Sequence, residues 1–176
     1  MPSHRPLLLV DVDGVLSVFG PDVDHAACLP TLVEGIPHFL SRRAATLLAR
    51  LAPHFECVWC TGWEDRAERH LPHLLGLAGG WEHIAFADRP EDGAHWKLRA
   101  IDAFAGADRP VAWIDDAHDE RCRAWAEARP GPTLLVTTEP AAGLTEAQAE
   151  EAERWALGLA GGGGQAPAAS AGGSIR

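Results

Sequence analysis

The chain has 176 residues, 47% hydrophobic and 23% charged, enough for one domain at roughly 150 residues per domain and typical of a globular rather than a disordered, fibrous or membrane-embedded protein. Its formal net charge of −10 disfavours broad electrostatic affinity for DNA or RNA, because neutralising phosphates takes an excess of Lys and Arg. Of 15 cationic residues only Lys97 is a lysine, a bias that, with no Asn or Tyr, reads as a GC-rich coding sequence and leaves that ammonium to be explained.

The first apolar run, Leu7 to Val10, is too short for a signal-peptide core or a membrane span. A cytoplasmic protein with four reduced cysteines is expected. Leu7-Leu8-Leu9-Val10 with Val12, closed by Gly14, reads as a strand buried on both faces of a parallel sheet. Residues 17–40 carry Gly20, Pro21, Pro30, Gly35 and Pro37, which predicts a β-hairpin or flap with a short helical turn. Ser41 suits the N-cap of a helix over 42–52, whose Ala45, Leu48, Leu51 and Ala52 share one face. Four more strands are expected at 56–60, 84–86, 111–114 and 133–136, and further helices at 64–76, 94–105, 118–128 and 145–159. Such alternation predicts an α/β fold with a parallel sheet and right-handed crossovers over residues 1–159. Residues 160–176, almost all Gly, Ala, Ser and Pro, predict a disordered tail.

The chemistry-bearing residues fall at predicted strand ends. Asp11-Val12-Asp13-Gly14 ends the first strand, and a spacing of two places both carboxylates on one side if the extended geometry persists. Ligands of open parallel sheets bind beyond the carboxyl ends of the strands. Two such carboxylates repel unless a cation lies between them, and Mg²⁺ is the natural hard cation for oxygen ligands. Read alone, the pair also fits turn aspartates before Gly14. Thr61-Gly62, after the second strand, offers a hydroxyl and an amide for phosphate oxygens or, equally, ordinary turn chemistry. Lys97 lies inside the helix expected over 94–105. Asp115-Asp116 ends the strand expected at 111–114, with Asp119 three residues on, and one member of this acidic group can serve as a helix cap.

Taken in order, Asp11-x-Asp13-Gly14-Val15, a strand ending at Thr61, then Lys97, then a strand ending in Asp115-Asp116 resemble the four signature motifs of the haloacid dehalogenase (HAD) superfamily of phosphohydrolases, over roughly residues 7–137. Residues 57–69 and 96–145 are similar to small bacterial HAD proteins that include the HAD domain of Swiss Army Knife RNA repair proteins. The resemblance implies a Rossmann-like three-layer sandwich, an HAD-like core with a minimal cap or flap at about residues 17–40. It implies a Mg²⁺-dependent phosphatase in which Asp11 forms an aspartyl-phosphate and Asp13 acts as general acid and base. Thr61, Gly62 and Lys97 would bind the phosphoryl group, Lys97 also orienting Asp11. Asp11, the Asp13 carbonyl and Asp115 would hold the metal, with Asp116 or Asp119 completing the set directly or through water. Dehalogenating members lack both a second acidic residue such as Asp13 and the metal. Response-regulator receivers place their lysine last, whereas Asp115-Asp116 follows Lys97.

The 35 residues between Thr61 and Lys97 leave no room for a large cap. An open site admits large substrates, so the expected partner is a phosphorylated small molecule or a nucleic acid phosphate end, and no membrane. An HAD-like binding module without turnover is the alternative. Cys57 and Cys60 fall three apart in a predicted strand and so on opposite faces, and with Cys28 and Cys122 isolated they form no zinc pattern. His70 and His73 are expected at the surface. Trp63, two residues after Thr61, is read as packing rather than as a stacking platform for a base or sugar.

Overall fold

In the computed structural model, which describes residues 5–87 and 95–161, the strands are β1 (Leu7–Val10), β2 (Ser17–Val18), β3 (Cys28–Val33), β4 (Ile36–Ser41), β5 (Glu56–Trp59), β6 (Glu82–His83), β7 (Val111–Asp115) and β8 (Thr133–Thr137). The helices are α1 (Arg42–Leu51), α2 (Asp65–Leu75), α3 (Leu98–Ala105), α4 (Glu120–Ala128) and α5 (Glu146–Gly161). One five-stranded sheet has the order β6-β5-β1-β7-β8, and all its pairs are parallel. β1 lies at its centre with every residue buried, as a strand covered on both faces must be.

The period of two sorts the strand residues into two cores. Leu8, Val10, Cys57, Trp59, Ala112 and Ile114 pack with apolar residues of α1, α2 and α5, such as Leu48, Leu71 and Ala152. Leu7, Leu9, Val58, Cys60, Val111 and Trp113 pack on the other face with Leu98 and Ile101 of α3 and Cys122 of α4. The result is the three-layer Rossmann-like α/β arrangement. It also puts Cys57 and Cys60 in separate cores, so they share no site.

Residues 17–41 form the flap. β2, β4 and β3 make a small antiparallel sheet, and a 3-10 turn at His25–Ala27 precedes β3. The hairpin turns at Glu34-Gly35, both with positive φ (52° and 84°), the geometry that suits the twist of a two-residue loop. Its tip is tied to α2, where Glu34 meets Arg66 at 3.3 Å, Arg69 at 3.7 Å and His70 at 3.4 Å. Ser41 ends the flap and caps α1, its Oγ accepting from Ala44 N at 3.1 Å.

Several boundaries differ from expectation. The strand expected over 84–86 is instead Glu82–His83, paired to Val58 and Trp59; Ile84 donates one last bond to Trp59 O. Apolarity there marked burial of Ile84 rather than ladder pairing. The helix expected over 94–105 begins at Leu98, so Lys97 stands at its N-cap position rather than in its interior; residue 94 lies outside the described residues. α4 begins at Glu120 rather than 118, because Asp119 caps it. Ala160 and Gly161 are the last residues of α5, and the rest of the expected tail, 162–176, lies outside the described residues. No helix among the described residues is long and apolar enough to cross a membrane.

Candidate active site

The carboxyl ends of β1, β5 and β7 bring the sequence-predicted residues to one edge of the sheet. Asp11 follows β1 and Asp115 ends β7, and β1 and β7 are neighbours in register, Val10 opposite Ile114. The turn before α3 sends Lys97 between them. Its Nζ lies 2.9 Å from Asp11 Oδ2 and 2.6 Å from Asp115 Oδ2, and the residue is 2% exposed. Nζ also sits 5.1 Å from the centroid of the Trp96 ring, a cation–π distance.

Each buried carboxylate has further donors. Asp11 Oδ1 accepts from Val12 N at 2.7 Å. Asp115 Oδ1 accepts from Ala117 N at 2.9 Å, and its Oδ2 accepts from Trp113 Nε1 at 3.1 Å as well as from Lys97. Trp113 was not singled out in the sequence; its position two residues before Asp115 on a strand, hence on the same face, is the signal that finds it.

The electrostatics of this cluster are unbalanced. Burial alone would lower the Lys97 pKa, but Asp11 and Asp115 outweigh it and hold the ammonium above its usual range. Burial pushes the Asp11 carboxyl up from 3.8 to about 7, with Asp115 adding to the rise and Lys97 opposing it. Asp116 is also raised, by burial and then by Asp115. One ammonium therefore serves three carboxylates.

Oxygens of Asp11, Asp115 and Asp116 all lie within 4.8 Å of one another, so these three can hold a metal ion. The all-oxygen donor set and the excess negative charge fit a hard divalent cation. Gly14 makes the approach of Asp116 possible: a Cβ on it would fall 2.4 Å from Asp116 Cγ. Its φ of +73° suits glycine as well, and Thr138 Oγ1 donates to its carbonyl at 2.7 Å.

The remaining sequence-predicted residues divide. Thr61 is fully buried just beyond β5, its Oγ1 accepting from Trp63 N at 3.3 Å, and Gly62 beside it is exposed. Asp13 is exposed and its carboxylate is not part of the metal-competent trio; the chain leaves extended geometry after Val10, and Asp13 Oδ2 instead accepts from Trp63 Nε1 at 3.0 Å. Asp119 Oδ1 accepts from Cys122 N at 3.0 Å, the capping role open to one member of the acidic group. Trp63 packs, at 7% exposure, and carries a polar contact that the sequence did not announce. A cavity of about 750 Å³ is lined by Phe19, Arg43, Glu139 and Thr145 among others, and none of the motif residues lines it.

A parallel α/β sheet that gathers aspartates of two neighbouring strands around one buried lysine, with a threonine at the end of a third, defines a domain of the HAD class. Residues 7–149 match the family described as HAD domain in Swiss Army Knife RNA repair proteins, and the chain belongs to this family. HAD domains are generally hydrolases acting on phosphate esters. No curated protein matches the chain.

Proposed function

We propose that this protein is a Mg²⁺-dependent phosphomonoester hydrolase that works through an aspartyl-phosphate on Asp11. The observation that carries the reading is the Lys97 bridge between Asp11 Oδ2 and Asp115 Oδ2. A structural ion pair needs one carboxylate for one ammonium, whereas here a buried ammonium meets two and a third lies within 4.8 Å. Such an excess of negative charge is costly to bury unless a cation offsets it.

In this reading the Asp11 carboxylate attacks phosphorus in line, Thr61 and the Gly62 amide bind phosphoryl oxygens, and Lys97 neutralises charge on them while fixing Asp11. Asp13 gives a proton to the leaving alcohol and then takes one from the attacking water. Asp11, Asp115, Asp116 and the Asp13 carbonyl would hold Mg²⁺, which when bound would supply Lewis-acid stabilisation of the phosphoryl charge. The four cysteines are free, in keeping with a reducing compartment such as the cytoplasm.

The substrate is a small phosphorylated metabolite or a nucleic acid phosphate end. The small flap leaves room for a large substrate, and the family's RNA-repair description favours a phosphorylated end, while the net charge of −10 favours the small molecule. The test is hydrolysis of an aryl phosphate with Mg²⁺, with chelator, and in Asp11→Asn. Turnover lost in both controls is expected. No turnover across a broad panel would leave an HAD-like binding module. Oligonucleotides with a 3′- or 5′-phosphate, compared with sugar phosphates and nucleotides at equal concentration, separate the substrate classes.

A further inference from the structure

An exposed aspartate on a loop is ordinarily free to rotate, yet the Asp13 carboxylate is held. Trp63 Nε1 donates to Asp13 Oδ2 at 3.0 Å, and Trp63 belongs to the segment that follows Thr61, its own main-chain N donating to Thr61 Oγ1. The Trp63 ring meets His38 of β4 edge-on, with centroids 4.7 Å apart at 60°. His38 Nδ1 is in turn 2.9 Å from the hydroxyl of Ser17 on β2, and Gly14 N, next to Asp13, donates to Ser17 O at 2.8 Å. The indole is 7% exposed and has His38 against it, which leaves little of its face for stacking on a substrate ring.

We infer that Trp63 is a positioning residue for Asp13 and that it links the orientation of this carboxylate to the flap. The inference rests on the proposed hydrolase reading. An indole N–H is a donor only and does not titrate, so it can hold one carboxylate oxygen through both halves of the reaction without competing for the proton. Oδ2 is anchored and the other oxygen carries the proton. In the first half, the Asp11–phosphorus bond forms as the ester P–O bond breaks, and Asp13 protonates the leaving oxygen. In the second, water bonds to phosphorus as the Asp11–phosphorus bond breaks, and Asp13 takes the proton back. The net reaction is ester plus water to alcohol plus phosphate. The His38–Trp63 contact makes the flap part of the wall that fixes this geometry.

The test compares kcat/KM for p-nitrophenyl phosphate, whose leaving group needs no proton, with that for glycerol 2-phosphate, an alkyl ester that needs one. Both are measured with Mg²⁺ for the wild type, Trp63→Phe and His38→Ala. Trp63→Phe is expected to lower the alkyl-to-aryl ratio of kcat/KM at least tenfold, a size consistent with loss of part of a general-acid contribution. His38→Ala, on a partly exposed flap residue, is expected to lower it severalfold and decides the matter should Trp63→Phe fail to fold. The rise in melting temperature on adding Mg²⁺ should persist in both variants, marking an intact carboxylate trio. Equal losses on the two esters, or an unchanged ratio, would overturn the role of Trp63 while leaving the hydrolase reading in place. A wild type that hydrolyses neither ester nor any phosphomonoester of the broader panel overturns both.

Discussion

Lys97 Nζ and Asp115 Oδ2 lie 2.6 Å apart, with the two side chains 3% and 0% exposed. A single small ammonium also reaches Asp11 at 2.9 Å, which a planar guanidinium with fixed donors cannot do from the same volume. Lys97→Arg is expected to keep the charge and still lose about 100-fold or more in kcat, the scale of a displaced catalytic group. Overpacking adds about 1–3 kcal/mol of destabilisation, read as a small fall in melting temperature. Normal turnover by the folded variant would show that the lone lysine has no special role.

Gly14→Ala tests the fit between the β1 loop and Asp116. The added Cβ would lie 2.4 Å from Asp116 Cγ at a φ of +73°. A left-handed alanine costs roughly 1–2 kcal/mol, and Asp116 must also move out of the trio. The expected result is a lower melting temperature together with a Mg²⁺ titration midpoint shifted to higher concentration. A variant with only the first effect would show that Asp116 is no ligand.

Asp116 and Asp119 should separate cleanly. Asp119 caps α4 through Cys122 N at 3.0 Å, so Asp119→Ala should cost about 1 kcal/mol of stability with little change in the Mg²⁺ midpoint. Asp116→Asn should leave the melting temperature of the metal-free protein near that of the wild type, or raise it by relieving repulsion, and weaken Mg²⁺ binding at least tenfold, since a carboxylate ligand is lost. Isothermal titration on both variants decides between them.

Metal binding should depend on pH. The Asp11 carboxyl rises from 3.8 to about 7, through burial above all. Between those values the folded metal-free protein holds a proton that the unfolded chain has released. This group's contribution to stability therefore falls as pH rises through that window. Mg²⁺ requires the ionised carboxylate and so displaces the proton, and with a carboxyl near 7 its affinity should drop roughly 50-fold from pH 7 to pH 5. The Mg²⁺-induced rise in melting temperature should accordingly grow from about pH 5 to about pH 8; a rise independent of pH would place the metal away from Asp11.

Periodicity and residue type in the sequence determined the layers of this fold. Leu7 to Val10 had to be buried on both faces, Ser41 had to begin a helix, and Asp11, Thr61 and Asp115 had to fall at strand ends, because these depend on local pattern and on the rule that parallel strands end at one edge. The edge strand lies two residues before its expected start, since the apolar Ile84 marks burial at the point where the ladder ends with its bond to Trp59 O. Lys97 was legible as an oddity of composition, but its meeting with both Asp11 and Asp115 was decided by tertiary structure, which packs the turn before α3 over the gap between β1 and β7. Tertiary structure alone also sent Asp119 to a helix cap rather than toward the metal-competent trio, fitted Asp116 against Gly14, and joined Asp13 to Trp63 across 50 residues of chain. The Asp116–Gly14 and Asp13–Trp63 contacts join segments distant in sequence, set by which strands pair and how closely their loops approach, and no local pattern encodes that; the Asp119 cap is local, three residues from Cys122, but only the folded chain shows which aspartate takes it.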